Sequence, residues 1–306
     1  MTMTQRTDPA QPATTTQPAT TQPADTTRSA RRRRRPARRY LVVAVLAVVA
    51  ALVGGVGAYL QAASPSAKDL IAADPPPALF SAAAVAPTER SVRAESARAR
   101  TLMARWWAAH GHTRDDPAFT AWLEQVLPPP PAPAARAAEV ARVATLAPRR
   151  TPSGVAAATW LETHGKKDVW KLFAHDQAEL LTSKQAKARK ADVKAMLKLT
   201  KTVADTLGTR YQQSAPYVLR PSLRPDHTVT KGQVCPCSYP SRHAAAGAAA
   251  RTYLGGLAPD RLSQYEAMEA QIDWSRVYMA GHVPSDITAG ALLGDLVGTY
   301  YLGTHA

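Results

Sequence analysis

The sequence predicts an all-α fold, a helical bundle preceded by a single transmembrane helix. Three observations predict it. Alanine and proline are abundant, and β-branched runs are scarce outside residues 40–60. Apolar residues in the body recur at helical rather than strand spacing, most clearly over 184–209. One uncharged run of 21 residues, YLVVAVLAVVAALVGGVGAYL at 40–60, rises about 30 Å as a helix, the thickness of a hydrocarbon core.

The chain has 306 residues and a formal net charge of +15, unevenly spread. Residues 1–39 hold nine arginines against Asp8 and Asp25, a net of +7, which leaves +8 for everything after them. The first 27 residues are mostly Thr, Gln, Pro and Ala, with too little apolar surface to offset the entropy of ordering, so 1–39 reads as a disordered basic cytoplasmic tail. A basic run alone can bind nucleic acid. Abutting an apolar span, it instead acts as the positive-inside flank, and no nucleic acid is expected as a partner.

Residues 40–62 then read as a transmembrane anchor, with Tyr40 and Tyr59 at its interfaces. The competing reading is an export signal: Arg38-Arg39-Tyr40-Leu41-Val42 resembles a twin-arginine start, followed by small residues after the apolar run. Either way the C-terminal domain lies outside the cytoplasm, in the cell membrane as a single-pass protein or secreted. No other stretch reaches membrane length uninterrupted: Asp295 breaks 287–303 and Arg251 breaks 244–258. With only Cys235 and Cys237, the chain is not a disulfide-stapled scaffold, and the Cys-Pro-Cys spacing is not that of a zinc site.

Residues 63–88, rich in Pro and Ala, read as a linker, and 89–306 as the helical domain. Helices are expected over 89–110, with Leu102, Trp106 and Trp107 as core candidates, over 118–127 up to the proline run 128–131, and over 134–146. Thr151-Pro152 is an N-cap followed by proline at the first position, and Gly165 is a stop, so a helix fills 152–164. Another begins at Trp170. The 184–209 helix puts Val193, Met196, Leu197, Val203 and Leu207 on one face and Lys187, Lys190, Lys194, Lys198 and Lys201 on another. That lysine stripe is read as a solvated face, with contact to anionic headgroups or polymer as the sharper alternative. Residues 210–240 carry five prolines and form a long loop. Helices follow over 244–254, 260–279 and 287–302.

The chemistry-bearing residues cluster late. In Pro240-Ser241-Arg242-His243, Ser241 is an N-cap, and the first helical turn offers free N–H groups and a positive dipole end to an anion. An ordinary capped helix explains the same residues. In SRVYMAGHVPSD at 275–286, Arg276 can fork onto two phosphate oxygens, and Asp286, four residues after His282, can fix that imidazole as a nucleophile. Simple helix capping by Ser285 and Asp286 is the plainer account.

Together these segments resemble the PAP2 superfamily of phosphatases, which includes bacterial non-specific acid phosphatases and vanadium-dependent haloperoxidases. The family pattern is Lys-x6-Arg-Pro, then Pro-Ser-Gly-His, then Ser-Arg-x5-His-x3-Asp. Ser275, Arg276, His282 and Asp286 match the third segment at every fixed position. Pro240, Ser241 and His243 match the second, with Arg242 in place of glycine. The first segment is degenerate: neither Gln213, seven before Arg220, nor Tyr217, seven before Arg224, is basic, and Arg210, Arg220 and Arg224 are all candidates to supply the charge. The resemblance covers about 135–306.

It implies a PAP2/haloperoxidase-like bundle and a phosphatase acting on phosphomonoesters of small-molecule or lipid substrates. His282 would be the nucleophile, Asp286 its orienting partner and His243 the general acid and base. Ser241, Arg242, Arg276, Arg220 and Arg210 would bind phosphate. No metal and no cofactor are expected, except vanadate if the chain is haloperoxidase-like instead. The third alternative is a catalytically weakened member that binds anionic surface ligands. Oligomeric state is not specified by the sequence.

Overall fold

The computed structural model describes residues 64–224 and 237–304. The segment 40–62, read above as an anchor, lies outside the described residues, as does Cys235. Among the described residues no helix is long and apolar enough to cross a membrane. Two units are distinguished along the chain, Met1–Ser64 and Pro65–Ala306, and the helical body belongs to the second.

Every regular element among the described residues is helical, with one isolated antiparallel bridge between Ser214 and Cys237. In chain order the α-helices are α1 (Ala67–Ala73), α2 (Ala82–His110), α3 (Asp116–Val126), α4 (Pro133–Ala144), α5 (Pro152–His164), α6 (Asp168–Ala178), α7 (Ser183–Tyr211), the single turn α8 (Pro216–Leu219), α9 (Arg242–Leu257), α10 (Leu262–Tyr278) and α11 (Pro284–Gly303). Local chemistry sets most boundaries. Thr151 caps α5 by accepting from the Gly154 amide at 3.1 Å, and Gly165 follows its last residue. Thr182 and Gln185 form a capping box that starts α7.

The 63–88 stretch, read as a linker, instead carries α1 and the first turns of α2. Ser66 and Asp69 cap the former reciprocally, and Ser81 caps the latter. Tertiary contacts hold it: Trp160 donates its indole N–H to the Asp74 carbonyl at 2.8 Å, and Gln271 exchanges two hydrogen bonds with the Phe80 backbone. The expected core residue Trp106 is buried, whereas Leu102 and Trp107 are only partly so. Val193, Met196, Val203 and Leu207 of α7 are buried as expected, and Leu197 is half-buried.

The arrangement that positions the site is the α9–α11 pair. Gly290, Gly294 and Gly298 of α11 recur every four residues and meet the backbone carbonyls of Ser241, Ala245 and Ala249 of α9 in the same order. The two helices therefore run parallel, with their N-termini side by side. A Cβ on Gly294 would stand 2.3 Å from the Ala245 carbonyl, so these backbones touch at a distance only glycine permits. Helix α10 crosses back between them in sequence, which returns its C-terminal turn to the same end. Two helix N-termini and one C-terminus thus share one end of the bundle.

Candidate active site

At that shared end, α9 begins with Ser241, whose hydroxyl accepts from the Ala244 amide at 3.3 Å and whose own amide donates to the Asp286 carbonyl at 2.9 Å. The Tyr239–Pro240 peptide before it is cis. Helix α11 begins at Pro284, and Asp286 at its third position accepts from the Val283 amide at 3.1 Å. The last turn of α10 carries Arg276, and the chain then turns through Ala280 at φ 56° and Gly281. A side chain on Gly281 would fall 2.7 Å from Arg276 Nη2, so glycine leaves room for the guanidinium.

His282 is 8 % exposed, and its Nδ1 lies 2.8 Å from the Ser238 carbonyl. A carbonyl only accepts, so Nδ1 carries the proton and Nε2 keeps its lone pair. Asp286 Oδ2 is farther, at 3.6 Å, too long for a direct hydrogen bond but close enough to act by charge. Burial lowers the His282 pKa, only partly countered by Asp286. Burial alone would raise the Asp286 pKa, but His282 and Arg136 hold it below the usual carboxylate value.

Arg136 of α4 was not anticipated from the sequence. It is buried and forks across Asp286, with Nη1 at 2.8 Å from Oδ1, while its Nη2 reaches the Ser238 hydroxyl at 2.7 Å and the Ser214 carbonyl at 3.0 Å. It locks together the carboxylate and the loop segment that hold His282. It stands 150 residues from Asp286 in the chain, and nothing local marks it.

His243 is 7 % exposed, and its Nε2 lies 2.9 Å from the Glu162 carbonyl, which leaves Nδ1 as the open nitrogen. Burial first, then repulsion from Arg276 and Lys166, drives its pKa well down, so it rests neutral. Arg276 is 5 % exposed and pairs through Nη2 with Glu162 Oε1 at 3.0 Å. Its Nε and Nη1 have no hydrogen-bond partner among the described residues.

Glu162, from the last turn of α5, is the second residue that sequence reasoning missed. Its other oxygen lies 3.3 Å from Arg224 Nη1, so one carboxylate spans two buried guanidinium groups. Burial pushes its pKa up, but Arg276 and Arg224 outweigh that and hold it down at about 2.

The three arginine candidates of the degenerate first segment are thereby separated. Arg224 is 7 % exposed and in the cluster. Its next residue is Pro225, the Arg-Pro signature, and Tyr217, seven residues earlier, lies with its ring 5.7 Å from the Arg224 guanidinium carbon. Arg210 and Arg220 do not join it. Arg210, at the end of α7, donates instead to Glu124 of α3 at 2.6 Å, and Arg220 is exposed beside a different depression. Arg242 turns outward to Asp205 at 3.1 Å rather than inward. Ser275, matched by the third segment, is buried and donates to the Ile272 carbonyl at 2.6 Å, which makes it part of the helix rather than of the cradle. Cys237 is disulfide-bonded.

This end of the bundle thus gathers His243, His282, Arg276 and Asp286 from 238–286, and adds Arg136, Glu162 and Arg224 from elsewhere. Residues 197–305 match the family model of the PAP2 superfamily. The matched segment contains both histidines, Arg276 and Asp286, and it supports a hydrolase of the phosphatase and haloperoxidase-like kind at that general level. No curated protein matches the chain.

Proposed function

We propose that the chain is a phosphatase that hydrolyses phosphomonoesters through a phosphohistidine on His282, acting outside the membrane that residues 40–62 would span. The observation that carries this reading is the buried Arg276, with two unpartnered donors beside two buried imidazoles and two helix N-termini. Buried guanidinium donors left unpaired are costly, and an oxyanion satisfies them with charge-assisted bonds. The helix ends add N–H groups and positive dipole ends.

The chemistry follows from the tautomers. His282 Nε2 holds a lone pair and attacks phosphorus, and the imidazolium that develops is stabilised by the Asp286 charge and the Ser238 carbonyl. Arg276 and Arg224 stabilise the equatorial oxygens, where a phosphoryl transition state carries its charge. Ser241 and the amides of the first α9 turn complete the cradle. Lys166, whose ammonium acts on His243 and feels Arg276, supplies the cation that Tyr217 does not. His243 protonates the leaving oxygen from Nδ1. Bound phosphate favours that proton by offsetting the repulsion of Arg276 and Lys166. The neutral His243 then takes a proton from the water that cleaves the phosphohistidine.

One observation favours a second reading, a weakened member that binds anions without turnover: the Glu162 carboxylate already sits between Arg276 and Arg224. The two are separated by incubating the full chain with labelled p-nitrophenyl phosphate without added metal and quenching in alkali, where phosphohistidine survives. Phosphate release with label on the wild type and none on His282→Ala supports the phosphatase. Binding of vanadate, which shares the shape and charge of phosphate, with no release in either protein would leave the binding reading alone.

A further inference from the structure

Beside the site, a groove of about 290 Å³ opens between the α5–α6 turn, α6, α7 and the start of α9. That is many times the ~30 Å³ share of one water. Lys166, Lys167 and Lys171 line one wall, Lys194, Lys198 and Lys201 of α7 the other, and Arg242 the end nearest His243. No acidic side chain lines it. Asp205 pairs with Lys201 and Arg242, and Asp168 lies 4.0 Å from Lys167. Among the described residues no carboxylate lies within ion-pair distance of Lys166, Lys171, Lys194 or Lys198. Lys171, Lys194 and Lys198 are uncompensated, and Lys166 feels only Glu162 among carboxylates, so the ammonium groups around this concavity repel one another and focus a positive field there. The α7 lysines belong to the stripe read from the sequence as a solvated face. Only the fold sets three of them opposite a second lysine wall.

The groove borders the cradle, and Lys166 on its wall acts electrostatically on His243. Arg242 precedes His243 on the first turn of α9, and Lys166 lies in the turn just beyond Glu162. We propose that this groove binds the distal phosphates of a linear condensed phosphate whose terminal phosphoryl group reaches His282. The proposal rests on the phosphatase reading for turnover, though not for binding. The lining favours this occupant on two grounds. Lysine presents point charges suited to a run of phosphates, where arginine would signal planar recognition. The apolar lining is Leu197 and Ala246, with no aromatic ring to stack a base, which argues against a nucleotide. A simple phosphomonoester carries its charge in the cradle, within reach of Lys166, and leaves Lys171, Lys194 and Lys198 unused.

In the reaction, His282 Nε2 bonds to the terminal phosphorus as the anhydride P–O bond breaks. The electron pair leaves on the oxygen of the shortened chain, which takes the proton from His243. Water then displaces His282, gives a proton to His243 and releases orthophosphate.

The test uses the full chain carrying His282→Ala, so that binding is read without turnover, with inorganic tripolyphosphate and orthophosphate titrated calorimetrically. Tripolyphosphate should bind about 10-fold tighter or more, and the further changes Lys194→Gln and Lys198→Gln should abolish that margin. In the chain that keeps His282, the same two lysine changes should leave p-nitrophenyl phosphate hydrolysis within about 2-fold, since a monoester does not reach Lys194 or Lys198. Equal affinities for the two phosphates, or a margin indifferent to Lys194 and Lys198, overturns the groove assignment while leaving the phosphatase intact. A lysine-dependent margin in a protein with no phosphatase activity upholds the groove and removes the phosphatase. Vesicles of phosphatidylglycerol that bind the lysines and displace tripolyphosphate at lower phosphate concentration would mean a lipid surface is the occupant, and the proposal fails.

Discussion

Glu162 makes two ion pairs, one to Arg276 and one to Arg224, that a phosphate would make instead under the proposed function. At about 2 its pKa keeps it anionic through any working pH, so it competes by charge with an incoming oxyanion. Glu162→Gln keeps the shape and removes the charge. Inhibition by orthophosphate should then strengthen by about 10-fold, equivalent to roughly 1.4 kcal/mol. If the inhibition constant weakens instead, the carboxylate serves to align the arginines and does not compete.

Arg136 acts one step further from the chemistry, through Asp286. Both are buried, so Arg136→Ala leaves a carboxylate unpaired in the interior, a loss on the order of 3–5 kcal/mol. Arg136→Gln is milder and more informative. With less of its charge neutralised, Asp286 acts more fully on His282 and raises its pKa. The acid limb of kcat/KM should therefore move to higher pH, which a purely structural role does not predict.

At the scale of elements, the candidate site exists because α9 and α11 lie parallel and in contact. Short connections make neighbouring helices antiparallel, and α10 supplies the return crossing that lets two N-termini stand together. The glycines at 290, 294 and 298 fix the depth and register of that contact. Gly294→Leu should force the helices apart at the Ala245 carbonyl and cost about 1–3 kcal/mol or more. A drop in Tm with loss of activity is expected. Retention of both would mean the helices do not need this close approach.

For the whole molecule, burial of ionisable groups makes stability depend on pH with a definite sign. His243 and His282 have folded pKa values below the ordinary 6.5, so the unfolded chain binds more protons than the folded one as acidity rises. Their contribution is present above about pH 6.5 and is lost below it, by up to roughly 2.7 kcal/mol per pH unit while both are taking up protons. Asp273 works in the opposite sense. It is fully buried, neither carboxylate oxygen has a partner among the described residues, and burial and Glu269 push its pKa well up. Its protonated form is retained at low pH, and stability is lost as pH rises through the raised folded value. Asp273→Asn should therefore match the wild type near pH 4 and exceed it by about 1–3 kcal/mol near pH 8, read from urea unfolding at both values. A gap that does not grow with pH would show that Asp273 is not the group responsible.

What the sequence determined by itself was everything carried by neighbours in the chain. Thr151-Pro152 and Gly165 bounded α5 because a cap needs only residues three or four apart. The α7 apolar face follows from a 3.6-residue period, and Ser241, His243, Arg276, His282 and Asp286 were legible because each lies at a fixed spacing within one short segment. Arg224 was legible only in part, since Arg220-Pro221 offers the same dipeptide. The tertiary structure alone decided between them, because the choice turns on which guanidinium reaches a carboxylate on α5. It also brought in Arg136 and Glu162, separated by 150 and 114 residues from their partners, and turned three of the five stripe lysines into a groove wall. Ion pairs over such separations leave no periodicity in a single sequence, since the distance between two charges is set by helix packing and not by their places in the chain.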